Sequence, residues 1–146
     1  GPSGMGKSTA AVHLGRLWGY VSDETVAVTE DRRVLPVPKP LSLIRGDRWK
    51  EQVSPDDLDL MVPPSELRLG AIALLSRDPE GPTVMERQRR TELIAQLAPH
   101  TSYLGELARP VHRLAALVAP KGGPVLRYRS SDGLEGLVRQ LMDVPQ

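Results

Sequence analysis

Gly1-Pro2-Ser3-Gly4-Met5-Gly6-Lys7-Ser8 opens the chain and matches the phosphate-binding pattern G-x-x-x-x-G-K-[ST]. Its glycines let the backbone curl tightly, so that consecutive N–H groups point at phosphate oxygens. The pattern predicts that the loop runs into a helix near Lys7, whose unpaired N–H groups and positive dipole end favour a polyanion. Lys7 would reach the outer phosphates, and the Ser8 hydroxyl would bind Mg²⁺.

The loop and the residue after it are therefore the candidate nucleotide site. The predicted contacts are Gly1, Ser3, Gly4, Met5, Gly6, Lys7, Ser8 and Thr9. The alternative is a Gly/Ser-rich tail that binds nothing. A phosphate loop normally connects a buried strand to a helix, and this sequence begins on the loop itself. We therefore expect either a fragment whose strand lies upstream or another segment in the position of that strand.

Composition limits the classes of protein that fit. A length of 146 residues suits one domain over residues 1–146. Nineteen Lys and Arg against eighteen Asp and Glu give a net charge of +1, which does not favour nucleic acid or an acidic membrane. The absence of cysteine excludes disulfides and thiolate catalysis and is compatible with a reducing cytoplasm. The apolar runs are shorter than the roughly 18 residues of a membrane span, so we expect a cytoplasmic protein.

An acidic pair is the second informative feature. Apolar spacing predicts a helix over residues 8–18 that ends at Gly19 as a left-handed cap, followed by a strand over residues 20–29. Asp23 and Glu24 interrupt that strand, where an unpaired buried carboxylate would be very costly. A phosphate loop, one helix and then a carboxylate at a strand tip is a layout that brings the carboxylate beside Mg²⁺ and the γ-phosphate. The alternative is an acidic turn in solvent.

The residues G-P-S-G-M-G-K-S-T, G-Y-V-S-D-E-T-V-A-V and V-L-P-V-P-K-P-L-S-L resemble the HPr kinase/phosphorylase family and its shorter relatives. The resemblance covers residues 1–44. It implies a phosphoenolpyruvate-carboxykinase-like α/β fold, in which a mixed sheet with flanking helices contains the P-loop. It also implies that ATP and Mg²⁺ bind at the loop, and that the acidic pair supplies a catalytic base and a metal ligand.

Carried over by position, the resemblance assigns catalytic roles to Asp23 and Lys7, and metal ligation to Ser8, Asp23 and Glu24. Glu24 stands where the family usually has Asp, and Thr9 stands where the full-length enzymes usually have Glu. The implied activity is a kinase that transfers the γ-phosphoryl group to a hydroxyl, namely Ser or Thr of a small protein or peptide. The alternatives are a simple P-loop NTPase or small-molecule kinase, and a degenerate, non-catalytic interaction module. The oligomeric state stays open, with a homo-oligomer as one option.

The next part of the chain predicts a hairpin and a long loop. Residues 33–37 are expected to return antiparallel to residues 20–29 as an edge strand, because Pro36 cannot donate to a ladder. Residues 38–64 are rich in proline and predict a long loop, either an exposed linker or a flap over the substrate. Residues 67–75 predict a buried strand. Glu66 and Arg68 beside it faintly resemble a Glu-x-Arg-Gly signature of the full-length family.

Downstream, the pattern predicts a helix over residues 84–97, with Thr83 and Glu86 forming a capping box. Arg87, Arg89 and Arg90 on it would be either a solvated face or a source of positive charge near a phosphate. Further helices are predicted over residues 102–108, 111–118 and 134–142, the last of them capped by Ser131 or Asp132, and a strand over residues 125–128.

Overall fold

The computed structural model describes residues 6–45 and 49–143, which form four α-helices and eight β-strands. The described residues fall into two compact units, residues 6–69 and residues 70–143. Several small sheets and the four helices make this a mixed α/β protein, as predicted. The finer prediction of a phosphoenolpyruvate-carboxykinase-like sheet stays a prediction, and so does the single domain.

The unit of residues 6–69 contains one helix and two small antiparallel sheets. Its elements are α1 (Lys7–Trp18), β1 (Ala27–Val28), β2 (Arg33–Leu35), β3 (Leu41–Arg45), β4 (Trp49–Val53) and β5 (Leu67–Arg68). One sheet has the order β1-β2-β5, and the other is the β3-β4 pair. Helix α1 confirms the predicted helix, and its partly buried residues Ala11 and Val12 pack against the core of this unit.

The core of this unit is built between α1 and the β3-β4 pair. Its buried members are Tyr20, Leu41, Val53, Leu58 and Leu60. Three hydrogen bonds hold the segment after β4 against the end of α1: Arg16 Nε donates to Leu58 O at 2.8 Å, Met61 N to Gly15 O at 3.0 Å, and Tyr20 N to Met61 O at 2.9 Å. Residues 58–61 therefore fix the position at which the chain leaves α1.

Several predictions for this unit are wrong. Of residues 20–29, only Ala27–Val28 are a strand, because the chain from Tyr20 first pairs with Met61 and then bends at Asp23 and Glu24. The hairpin of β1 and β2 forms as predicted, but β2 is the central strand of its sheet, since Pro36 lies just beyond it and leaves its ladder intact.

The prediction of a long loop over residues 38–64 is also wrong. Strands β3 and β4 pair in register from Leu41 opposite Val53 to Arg45 opposite Trp49, and a short 3-10 turn spans Asp56–Leu58. Proline is absent from both strands, so the proline-rich composition of the whole stretch concealed a hairpin within it. Gly19 does have a positive φ of 104°, but its ψ of 140° is not that of a left-handed cap.

The unit of residues 70–143 contains a three-stranded sheet and three helices. Its elements are β6 (Leu74–Arg77), β7 (Val84–Gln88), α2 (Arg90–Leu97), α3 (Pro110–Leu117), β8 (Gly123–Tyr128) and α4 (Ser131–Met142). Strand β8 is central, parallel to β6 and antiparallel to β7. Its buried residues Leu126 and Tyr128 belong to a core with Leu93 of α2, Leu114 of α3 and Leu134 of α4.

In this unit, α3, β8 and α4 confirm the predicted elements over residues 111–118, 125–128 and 134–142. The cap of α4 is Ser130, which accepts a hydrogen bond from Gly133 N at 3.3 Å, instead of Ser131 or Asp132. The helix predicted over residues 102–108 is wrong, because only a 3-10 turn at Leu104–Glu106 forms there.

The predicted helix over residues 84–97 is wrong in its first half. Val84–Gln88 form β7 against β8, so the capping box of Thr83 and Glu86 does not form, and the helix starts at Arg90. The predicted strand over residues 67–75 is wrong as well. It divides into β5 and the start of β6, and none of its residues is fully buried. None of the helices within residues 6–45 and 49–143 combines the length and apolar character that crossing a membrane requires.

Candidate phosphate and metal site

The start of α1 follows a glycine in a left-handed conformation. Gly6 precedes the helix with φ 77° and ψ 16°, a left-handed conformation that favours glycine. Its carbonyl accepts from Ala10 N at 2.9 Å and so begins the helical ladder. Lys7 and Thr9 are exposed in the first turn, and Ser8 is half-buried. Gly1, Ser3, Gly4 and Met5 lie outside the described residues.

Ser8 and Asp23 meet at this end of the helix. Ser8 Oγ donates a hydrogen bond of 2.9 Å to Asp23 Oδ2, across fifteen positions of sequence. Asp23 is half-buried in the bend between α1 and β1. The structure therefore brings together the loop hydroxyl and the first member of the acidic pair, two of the three residues to which the resemblance assigns metal ligation.

Tyr20 holds the other oxygen of the same carboxylate. The Tyr20 hydroxyl lies 3.3 Å from Asp23 Oδ1 and 3.2 Å from Lys39 O, so that its single proton has two acceptors. Tyr20 is 3% exposed and belongs to the core of its unit. Burial, followed by the negative charge of Asp23, raises the pKa of the Tyr20 hydroxyl to about 12, which keeps the hydroxyl protonated as a donor at neutral pH.

Sequence reasoning missed the role of Tyr20. It treated the residue as one member of a strand, whereas the segment turns after Tyr20 and brings the hydroxyl to the carboxylate three positions later. An aromatic hydroxyl three residues before a candidate metal-binding Asp is the signal that could have found it. No sequence pattern predicts that the backbone carbonyl of Lys39 is the second acceptor.

Glu24 is placed differently from Asp23. Its side chain is exposed, and its backbone N–H donates to Ser22 Oγ at 3.2 Å. This exposed bend, in which the Ser22 hydroxyl accepts a hydrogen bond from the backbone of Glu24, matches one of the two alternatives from the sequence, an acidic turn in solvent. The two carboxylates are therefore held unequally: Asp23 accepts two side-chain hydroxyls, and Glu24 faces water.

The donor atoms suit a small hard cation that keeps most of its own water. Within residues 6–45 and 49–143, no three His, Asp or Glu side chains are grouped so that they could hold a metal ion by themselves. Mg²⁺ binds through one or two protein oxygens together with water and phosphate oxygens. The pair of oxygens at Ser8 and Asp23 fits that requirement, whereas a structural zinc site takes four protein ligands, mostly Cys and His.

Of the remaining candidates, Arg68 and Arg90 have structural partners, and the others are exposed. Arg68 NH1 donates to Asp31 O at 3.4 Å beside the β2-β5 pairing, while Glu66 is exposed. In the second unit, Arg90 NH2 donates to Ala115 O at 2.5 Å and so links α2 to α3. Arg87 and Arg89 are exposed on β7 and directly after it.

Comparison with known proteins adds no relative. No protein-family model, curated protein or solved structure matches the chain. The resemblance to the HPr kinase/phosphorylase family therefore rests on the residues quoted for it.

Proposed function

We propose that this chain is an ATP- and Mg²⁺-dependent kinase that transfers the γ-phosphoryl group of ATP to the hydroxyl of a Ser or Thr in a small protein or peptide. The observation that supports the proposal is the hydrogen bond from Ser8 Oγ to Asp23 Oδ2. In a phosphate-loop protein, the hydroxyl after the loop lysine and a carboxylate from another segment share one Mg²⁺. Here these two groups are already in contact.

The start of α1 supports the nucleotide part of the proposal. Left-handed Gly6 turns the chain into a 12-residue helix, and the first N–H groups of that helix have no partner within it. Backbone N–H groups and the positive end of the helix dipole together favour a phosphate group. Lys7 begins the helix with an exposed side chain, which can extend toward the outer phosphates as a point charge.

The hydrogen bonds also bear on which carboxylate has which role. Both oxygens of Asp23 are oriented by hydroxyls, and one of those hydroxyls is the proposed metal ligand Ser8. Such a carboxylate is pre-organised to hold Mg²⁺ with Ser8, and bound Mg²⁺ would neutralise charge that develops on the phosphoryl oxygens. Proton removal from the acceptor hydroxyl, assigned to Asp23 by the resemblance, remains part of the proposal, with exposed Glu24 as the second carboxylate within the bend.

Nucleotide binding followed by label transfer tests the proposal. We expect calorimetry to show ATP binding that is tightened by Mg²⁺, and [γ-³²P]ATP to label a protein acceptor in a cell extract on Ser or Thr. Phosphate release without any labelled acceptor would replace the kinase by a simple NTPase. No binding at millimolar ATP would favour a non-catalytic interaction module.

A further inference from the structure

Tyr20 combines a rigid ring with a hydroxyl that faces a polar site. Its ring belongs to the buried cluster with Leu41 and Leu60. Its backbone N–H donates to Met61 O at 2.9 Å, and a Cβ built on Gly15 would lie only 3.2 Å from Tyr20 Cβ, so the backbone and Cβ of Tyr20 lie close against the end of α1. The hydroxyl is therefore presented from a fixed position.

Asp23, unlike Tyr20, is not held in place by packing or by a regular backbone. It lies in a bend outside any helix or strand, between the end of α1 at Trp18 and the start of β1 at Ala27. A side chain on an irregular segment needs neighbouring hydrogen bonds to keep one orientation. The described structure provides two of them, from Tyr20 to Oδ1 and from Ser8 to Oδ2.

These two hydrogen bonds are not equivalent when a cation binds. A cation at the Ser8 hydroxyl oxygen would compete for Oδ2 and replace the hydrogen bond between Ser8 and Asp23. The Tyr20 hydroxyl lies on the opposite oxygen and would remain in place. Hydrogen bonds behind a metal ligand fix its orientation, and their loss commonly weakens metal binding by about 10–100-fold.

We propose that Tyr20 is a positioning residue that orients the Asp23 carboxylate, so that Oδ2 faces the Ser8 hydroxyl and the cation position they share. This inference rests on the proposed function, because it concerns the same site. It adds a residue that the loop pattern and the acidic pair do not contain. Phenylalanine at this position would keep the ring and its packing, so the positioning role belongs to the hydroxyl alone.

The test compares Tyr20→Phe with Tyr128→Phe. Tyr128 is also 3% exposed, but its hydroxyl has no hydrogen-bond partner among the described residues and it lies in the unit of residues 70–143, so it serves as the matched control. ATP affinity is measured by calorimetry with and without Mg²⁺. We expect Tyr20→Phe to reduce the gain in affinity that Mg²⁺ provides by about tenfold, while ATP binding without Mg²⁺ stays unchanged. Tyr128→Phe should behave as wild type in both measurements.

Crystal structures of wild type and Tyr20→Phe provide a readout that does not depend on nucleotide. We expect Asp23 to adopt a different or mixed side-chain orientation in the variant, with loss of the 2.9 Å contact to Ser8. An unchanged Asp23, or an unchanged effect of Mg²⁺ on ATP affinity, would overturn the positioning role and leave the kinase proposal intact. Wild type that binds no ATP would overturn the kinase proposal and this inference with it.

Discussion

Ser8 Oγ and Asp23 Oδ2 form a 2.9 Å hydrogen bond that joins the first turn of α1 to the bend before β1. If both groups serve one Mg²⁺, the effects of removing them cannot be independent. We predict that Ser8→Ala and Asp23→Asn each reduce the Mg²⁺-dependent gain in ATP affinity by about tenfold or more. The double variant should be no worse than the more affected single variant, because residues of one network couple by about 0.5–3 kcal/mol.

Calorimetry with and without Mg²⁺ on the two single variants and the double variant provides the measurement. Ser8→Thr is the matched control, because it keeps the hydroxyl that the loop pattern allows at this position. It should retain most of the Mg²⁺-dependent gain. Losses that simply add in the double variant would show that Ser8 and Asp23 act separately.

The unequal surroundings of Asp23 and Glu24 lead to a second prediction. Asp23→Asn should abolish transfer of label from [γ-³²P]ATP while ATP binding without Mg²⁺ is kept, because Asn retains the shape but loses the charge and basicity of the carboxylate. Glu24→Gln should lower transfer by less than about tenfold, since Glu24 is exposed and Ser8 and Asp23 would still hold the metal.

Asp57→Asn is a suitable control for this pair of variants, because Asp57 is another exposed carboxylate of the same unit. Its transfer rate should equal that of wild type. A larger loss in Glu24→Gln than in Asp23→Asn would reverse the roles assigned to the two carboxylates.

The helix that carries the site could be predicted from the sequence, whereas the contacts between residues far apart in the chain could not. The loop pattern and apolar spacing led correctly to α1, which begins directly after Gly6. The family resemblance assigned Ser8, Asp23 and Glu24 to one metal site, although Asp23 was placed within a strand that forms only at Ala27–Val28. The role of Tyr20 depends on its pairing with Met61, forty-one positions away, and no local pattern carries that information.

The errors in the fold have the same physical origin. Val84–Gln88 contain residues that suit a helix. They pair antiparallel with β8 instead, from Val84 opposite Arg127 to Gln88 opposite Gly123, and this pairing determines their conformation. The apolar residues Leu93, Ile94 and Leu97 recur at helical spacing within the shorter helix α2, and Leu93 is fully buried. Local propensity thus located the second half of the predicted helix and failed where a distant strand competes for the first half.

Gly19 gives a prediction about stability. Its φ of +104° is unfavourable for a side chain, and an added Cβ would lie 2.8 Å from Pro63 Cα, a backbone atom that cannot rotate away. We expect Gly19→Ala to lower the free energy of unfolding of residues 6–69 by about 2–4 kcal/mol. Urea denaturation followed by tryptophan fluorescence measures it, because Trp18 and Trp49 both lie in this unit.

Gly136→Ala is the contrasting variant. Gly136 lies inside α4, and a Cβ there would meet nothing within 4 Å. Alanine should therefore raise the stability of its unit by about 0.5–1 kcal/mol through helix propensity, as measured by far-UV circular dichroism. If Gly19→Ala unfolds at the same urea concentration as wild type, the contact between Gly19 and Pro63 does not constrain the end of α1.

The buried hydroxyl of Tyr20 predicts how the stability of its unit depends on pH. Burial, then the charges of Asp23 and Glu24, raise its pKa from 10.0 to about 12 in the folded state. Between these values the folded protein binds more protons than the unfolded chain, so stability falls as pH rises. The contribution is complete below about pH 10 and is lost as pH approaches 12; a shift of two units corresponds to about 2–3 kcal/mol.

Tyr20→Phe isolates this contribution, because phenylalanine keeps the ring and has no proton to lose. Urea denaturation by tryptophan fluorescence at intervals from about pH 9 to pH 11.5 should show a steeper decline for wild type than for the variant. Most of the stability difference between the two proteins should disappear over that interval, because ionisation of other tyrosines and lysines affects both equally. Parallel declines would mean that the Tyr20 hydroxyl ionises at its ordinary pKa and is not held between Asp23 and Lys39 O.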